Sequence, residues 1–195
     1  MNFNVLITAL FLAPLGIAVA AHAQGDSRQQ LLDTGVCVQC DLSNVNLQGA
    51  NLQGVNIQGS NLQGANLQGA DLSGANLRSV TFRSANLANA NFSGADMAGN
   101  YFTTANLTGA NLQGVNLSWA NLVSADLTSA NLNNANLNRA DLTGATLAGA
   151  SFQGTDLSGA KLYQAQLRGT DLSGANLTNT IMPDGRINAT GTRSY

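Results

Sequence analysis

The stretch "ANLQGADLSGANL" at residues 65–77 decides the fold. Leu67, Leu72 and Leu77 are five residues apart; each follows an Asn or Asp, which in turn follows an Ala. Traced outward from here, every fifth residue from Leu42 to Leu177 is Leu, Ile, Met or Phe, 28 consecutive positions without an exception. Two residues before each lies a small residue, mostly Ala. Two small or polar residues follow, often Gln-Gly, Ser-Gly or Thr-Gly. A strict period of five matches neither the 3.6 of a helix nor the 2.0 of a strand, so the repeating unit is compound.

The small residue and the Leu are two apart, so in an extended segment both face one side while the intervening Asn or Asp faces the other. The Gly-, Ser- and Asn-rich pair that follows supplies a turn. Three extended residues and two corner residues, repeated, wind the chain into a coil with Leu and Ala inside. Stacked coils then pair their backbones ~4.8 Å apart. Collagen is excluded because Gly does not recur every third residue, and the unbroken apolar register argues against an aggregation-prone Asn-rich tract.

In these runs the sequence resembles the A(D/N)LXX motif of the pentapeptide-repeat family, over about 140 of the 195 residues with no break of frame. The resemblance implies an all-β fold, a right-handed quadrilateral β-helix with four repeats per coil. On that basis residues 41–182 form about seven coils, a rod on the order of 34 Å long at the strand spacing.

Composition limits what such a rod can do. Charged residues are 9% of the chain, with ten Asp, no Glu, seven Arg, one Lys and a net charge of −2. That balance predicts no basic groove for nucleic acid and no strongly acidic surface.

The N-terminus is of another kind. Residues 5–21, "VLITALFLAPLGIAVAA", are apolar and lead into Ala21-His22-Ala23, an A-x-A cleavage signature. Residues 1–23 therefore read as a secretory signal peptide, although "MNFN" carries no Lys or Arg. The apolar run is shorter than the ~20 residues a spanning helix needs, so no stable membrane span is expected after cleavage. The expected destination is the periplasm or a thylakoid lumen, as for exported cyanobacterial members of the family it resembles. Cleavage also removes His22, the only histidine.

Both ends of an open coil need a cover. Residues 24–40 are expected to form an N-terminal cap around a short helix in "DSRQQLLDTG" (26–35). Asp26 is read as its N-cap, Gln29 as the capping-box partner and Gly35 as its stop, with Leu31 and Leu32 over the first coil. After Met182, "PDG" (183–185) turns the chain into a C-terminal tail, 183–195, of which residues 186–195 have no periodicity and are expected to fray.

Cys37 and Cys40 lie in the repeat frame, Cys37 at an inward Leu position and Cys40 at an inward small position. Two structural readings stay open. The pair are small hydrophobes in the first core layer, or a disulfide across a turn, whose ~7 Å span is just compatible with one and which export would favour. A zinc site would need more ligands, and the chain after residue 23 has no other Cys, no His and no Glu. A redox CxxC would normally open a helix in a βαβ unit, which is absent.

The same shortage bears on catalysis. No base is present to activate any Ser or Thr, and the glycines follow the turn frame rather than a phosphate loop. No enzyme, cofactor, metal or small-molecule ligand is expected. Some members of the resembled family imitate duplex DNA to modulate DNA gyrase, which requires a dense acidic surface. Here the motif Asp residues fall on all four faces, and Arg78, Arg83, Arg139 and Arg168 offset several of them. That reading is the alternative, and a thiol-disulfide redox protein is the outsider.

The expected role is a scaffold for an unidentified protein partner. Regularity breaks at "GNYFTTA" (99–105), where Asn100 takes an inward position, read as a local bulge, and Tyr101 replaces the outward Asn. Four repeats per coil put Tyr101, Lys161 and Tyr163 on one face, with Trp119 at the preceding corner. These four are the candidate contact patch, since Tyr and Trp serve interfaces well. The competing reading is that the exposed aromatics are incidental.

Overall fold

Each outward residue pairs in parallel with the one twenty positions later, from Val36 with Asn56 and Asp41 with Asn61 through to Lys161 with Ile181. Four five-residue repeats therefore complete one coil. The pairing spans about seven coils, starting one repeat earlier than the expected residue 41. This computed structural model describes residues 24–190; the expected signal peptide (1–23) and the last five residues lie outside that range. Among the described residues no helix is long and apolar enough to cross a membrane. The four columns of outward residues define four faces, named here by their first members: the first from Asp41, the second from Asn46, the third from Asn51 and the fourth from Asn56.

The motif follows from where the backbone N–H groups go, since each must find an acceptor. In the repeat 110–114, Ala110 N–H donates to Leu107 O at 3.0 Å and closes the corner. Asn111 N–H donates to Ala90 O one coil back, at 2.9 Å. Leu112 and Gly114 N–H donate to Asn131 O and Asn133 O one coil ahead, at 2.8 and 3.0 Å. Only Gln113 N–H has no backbone acceptor, and the side-chain Oδ1 of Asn111 takes it at 3.3 Å. An outward Asn or Asp thus completes the repeat's hydrogen bonding, the Asx-turn chemistry that favours these residues beside turns. The second corner residue is left-handed throughout most of the rod. Gly114 has φ +67°, and Ser129 and Trp119 have φ +58° and +61°.

The inward Leu positions form the core, together with Phe82, Phe92, Phe102 and Phe152. Phe82 and Phe102 stack one coil apart with centroids 5.1 Å apart, and Phe92 meets Phe82 edge-on at 6.2 Å. Filling the axis this way is worth roughly 1.5–3 kcal/mol per buried side chain. Asn100 does not open a bulge. It is fully buried, Tyr101 keeps its pairing with Thr81 and Asn121, and Asn100 Oδ1 accepts the Val80 N–H at 2.9 Å. The side-chain Nδ2 of Asn100 has no partner.

At the N-terminal end, helix α1 runs over Gln24–Thr34. It begins before Asp26, so Asp26 lies within the helix rather than at its N-cap. Gln29 Nε2 instead donates forward to Asp33 Oδ1 at 2.7 Å, a pair one turn apart. Gly35, at φ +69°, ends the helix as expected, its N–H donating to Leu31 O at 2.9 Å. Leu31 is buried against the first coil but Leu32 is exposed, because adjacent helical residues cannot face the same way. At the other end the tail does not simply fray. Strands β1 (Thr180–Ile181) and β2 (Ile187–Asn188) pair antiparallel around the Pro183–Gly185 turn, and Asn188 is buried.

Candidate interaction surface

The first face carries Tyr101 and Lys161 in its outward column, and Tyr163 two residues beyond Lys161. Trp119 stands at the corner where the fourth face turns into the first. Tyr101 and Tyr163 are each 45% exposed and Trp119 is 61% exposed, on a rod otherwise covered mainly by Asn, Ser, Gln and Gly. Tyr101 and Lys161 are three coils apart, roughly 14 Å along the axis.

Two of the aromatics carry a cation. The Arg139 guanidinium lies over the Trp119 indole, 4.7 Å from the ring centroid. The Arg83 guanidinium is 5.8 Å from the centroid of the Tyr101 ring. Such pairs contribute about 0.5–1 kcal/mol at exposed sites and hold the ring in one orientation. Trp119 and Arg139 are twenty residues apart, so the coil period itself was the signal for their contact. Lys161 Nζ is 3.3 Å from Asp141 Oδ2, a surface pair of little net energy. Tyr163 has its ring edge beside Gly185 of the C-terminal turn.

The rest of the first face departs from the Asn pattern. On the second face Asn66, Asn86 and Asn106 each donate Nδ2 to the Oδ1 of the Asn one coil earlier, at 3.1–3.3 Å. On the third face the same ladder joins Asp71, Asn91, Asn111 and Asn131. On the first face it is interrupted by Thr81 and Tyr101. A shallow depression of about 310 Å³ lies there, lined by Asn61, Gln63, Thr81, Arg83 and Tyr101.

Several outward Asp carboxyls are held below the usual carboxylate range by the corner geometry. For Asp71 and Asp171 the main cause is the backbone N–H of Ser73 and Ser173, at 3.0 and 2.8 Å, aided by the seryl hydroxyl. For Asp41 the Ser43 side chain leads and its N–H assists. Burial pushes Asp141 upward, but the Thr143 hydroxyl and N–H and the Lys161 ammonium together outweigh it.

The structure joins Cys37 and Cys40 in a disulfide, with Cα atoms 5.5 Å apart. Cys37 is fully buried beneath α1, its Sγ in van der Waals contact with Ser27 O at 3.4 Å. No three His, Cys, Asp or Glu residues converge on a metal position among the described residues. The motif Asp residues are spread over all four faces, so none of the faces presents a continuous acidic row.

The family profile described as "Pentapeptide repeats" matches in eight copies, over residues 40–78, 75–114, 85–123, 101–139, 120–159 and 140–179. Among solved structures, the chain is similar to HetL, a pentapeptide repeat protein involved in heterocyst differentiation regulation from the cyanobacterium Nostoc sp. strain PCC 7120. The two are 27% identical with a TM-score of 0.53, over 84% of this chain and 98% of HetL. Rfr23, a pentapeptide repeat protein from the cyanobacterium Cyanothece 51142, is 26% identical over 82% of this chain and 99% of its own, with a TM-score of 0.35. QnrB1, a plasmid-mediated fluoroquinolone resistance protein, is 21% identical over 81% of this chain and 85% of its own, with a TM-score of 0.48. No curated protein sequence matches the chain.

Proposed function

From the premise that the chain belongs to the pentapeptide-repeat family, whose fold is a right-handed β-helix, we propose that it is an exported, non-enzymatic scaffold that holds a protein partner against its first face. The observation that carries this reading is the grouping of Tyr101, Trp119, Lys161 and Tyr163 on that face and its corner. Aromatic side chains bury large area at low entropic cost when a partner covers them. Rigidity supports the same role: every coil is hydrogen-bonded to its neighbours, so the surface is preorganised.

The non-enzymatic part rests on composition. Beyond residue 23 there is no His or Glu, and Lys161 is the only Lys. Export rests on the apolar segment and A-x-A motif at residues 5–23, and the Cys37–Cys40 bond is suited to the periplasm or a thylakoid lumen. The test is to fractionate the native host, sequence the N-terminus of the purified protein, and crosslink it in place. A chain that begins at Gln24 in the periplasm or lumen, with a crosslinked complex lost in Tyr101→Ala/Trp119→Ala, is the expected result. A full-length cytoplasmic chain would overturn export, and a complex indifferent to the double substitution would overturn the surface.

A further inference from the structure

We infer that the first face, between the coils of Thr81 and Lys161, docks an acidic polypeptide segment; this rests on the interaction reading above and assigns the partner's chemistry. Three observations converge on it. Charge is the first. Arg83 and Arg139 form no ion pair among the described residues; each guanidinium faces an aromatic ring instead. With Lys161 set against Asp141, this strip has an excess of positive charge on a chain whose net charge is −2. Elsewhere the balance is reversed or even. Asp71 and Asp171 stand on the third face, Asp96 and Asp156 against Arg78 on the fourth, and Asp126 against Arg168 on the second.

Unclaimed donors are the second. In a regular repeat the outward Asn or Asp accepts the N–H two residues on. Thr81, Tyr101 and Lys161 do not accept this bond, as Thr146 and Gln166 on the second face do not, so the N–H groups of Arg83, Thr103 and Tyr163 have no partner among the described residues. These groups point to the outward side, where an Asn side chain meets them in other repeats. A segment rich in carboxylates supplies acceptors to both the guanidinium and amide donors.

Shape and backbone are the third. The depression beside Tyr101 is lined by Arg83, Thr81, Asn61 and Gln63, polar groups around one ring. Trp119 and Arg139 hold the left-handed corner at φ +61° and +57°, where most corners use Gly. Large side chains in that conformation carry a strain that a surface role for the pair accounts for. Arg83 and Arg139 are nearly three coils apart, about 13 Å along the axis, which an extended segment spans in about four residues.

The experiment measures fluorescence anisotropy of a labelled peptide of about ten residues alternating Asp and Ser, against its Asn-Ser counterpart, with the purified protein. The acidic peptide is expected to bind at least about tenfold more tightly. Arg83→Gln/Arg139→Gln should remove that preference, with a Tm lower by no more than several degrees from the two lost ring contacts, while Arg168→Gln, on another face, should leave it intact. Equal affinity for the two peptides, or equal sensitivity to Arg168→Gln, would overturn the inference. So would tighter binding of oligothymidylate or of phosphatidylglycerol vesicles, which would mark a general anion surface. In the crosslinking experiment, a complex lost with Tyr101→Ala/Trp119→Ala but kept with Arg83→Gln/Arg139→Gln would sink the acidic-segment assignment alone.

Discussion

Asn111 donates its side-chain Nδ2 to Asn91 Oδ1 at 2.9 Å, one coil earlier, while its own Oδ1 accepts the Gln113 N–H. The ladder therefore has a direction: a side chain accepts from the coil after it and donates to the coil before it. Asp can accept but cannot donate, so Asp71 starts the third-face ladder rather than continuing one.

Asn111→Asp should lose only the bond to Asn91, at about 0.5–1.5 kcal/mol. Asn111→Leu also strands the Gln113 N–H and should cost about 1–3 kcal/mol. Urea unfolding of the two variants reads this order; equal losses would show that the corner N–H is satisfied by water.

Acid should weaken the rod through its carboxylates. Asp41, Asp71, Asp141 and Asp171 have folded pKa values below their ordinary one. Their stabilisation is therefore present above the unfolded value near 3.9 and is lost as pH falls through the folded values. Stability should be flat near neutrality and decline below about pH 4. Asp71→Asn/Asp171→Asn keeps both acceptors without a titrating group, so its Tm should fall less between pH 7 and pH 2.5.

The inward position offers a gain. Where it holds Ser or Thr, the hydroxyl donates to the carbonyl 23 residues earlier: Ser60 to Cys37 O at 2.6 Å, Thr155 to Leu132 O and Thr180 to Leu157 O at 2.7 Å. Asn100 breaks this rule and leaves Nδ2 unpaired in the core. Asn100→Thr should stabilise by about 1 kcal/mol, the cost of a buried unsatisfied donor less the lost Val80 contact. A lower denaturation midpoint would mean that the amide has a buried partner such as water.

Corners respond to backbone handedness. Gly114→Ala places a Cβ in open space at φ +67°, so its expected loss of about 1–2 kcal/mol is conformational alone. Ser129→Gly, at φ +58°, should go the other way by a few tenths to about 1 kcal/mol. Opposite signs in thermal unfolding are the check.

Most of the fold was legible in the sequence because the interval of five never slips between Leu42 and Leu177, and a core Leu can move only by breaking that interval. The ends were less legible. A helix over Gln24–Thr34 buries Leu31 but not Leu32, and nothing in the local pattern told which of the two would face inward. The β1–β2 hairpin was missed because residues 187–188 have no period, their pairing being fixed by the turn at Pro183–Gly185. The exposure of Tyr101 and Trp119 followed from the frame, as did the placing of Arg139 one coil after Trp119. Arg83 reaches Tyr101 from 18 residues earlier, the spacing between a first-corner residue and the outward residue of the next coil that Arg78 and Asp96 also show, and a reading by face alone does not bring the two together.

The twenty-residue pairing also governs how the chain reaches this state. Nearly every bridge joins residues separated by a tenth of the chain, so the relative contact order is about 0.1, in the range of helical bundles rather than β-sandwiches. An all-β protein wound in this way closes only short loops as it folds. Each new coil templates on the last, so the rod can assemble one coil at a time from whichever end of the chain first becomes available.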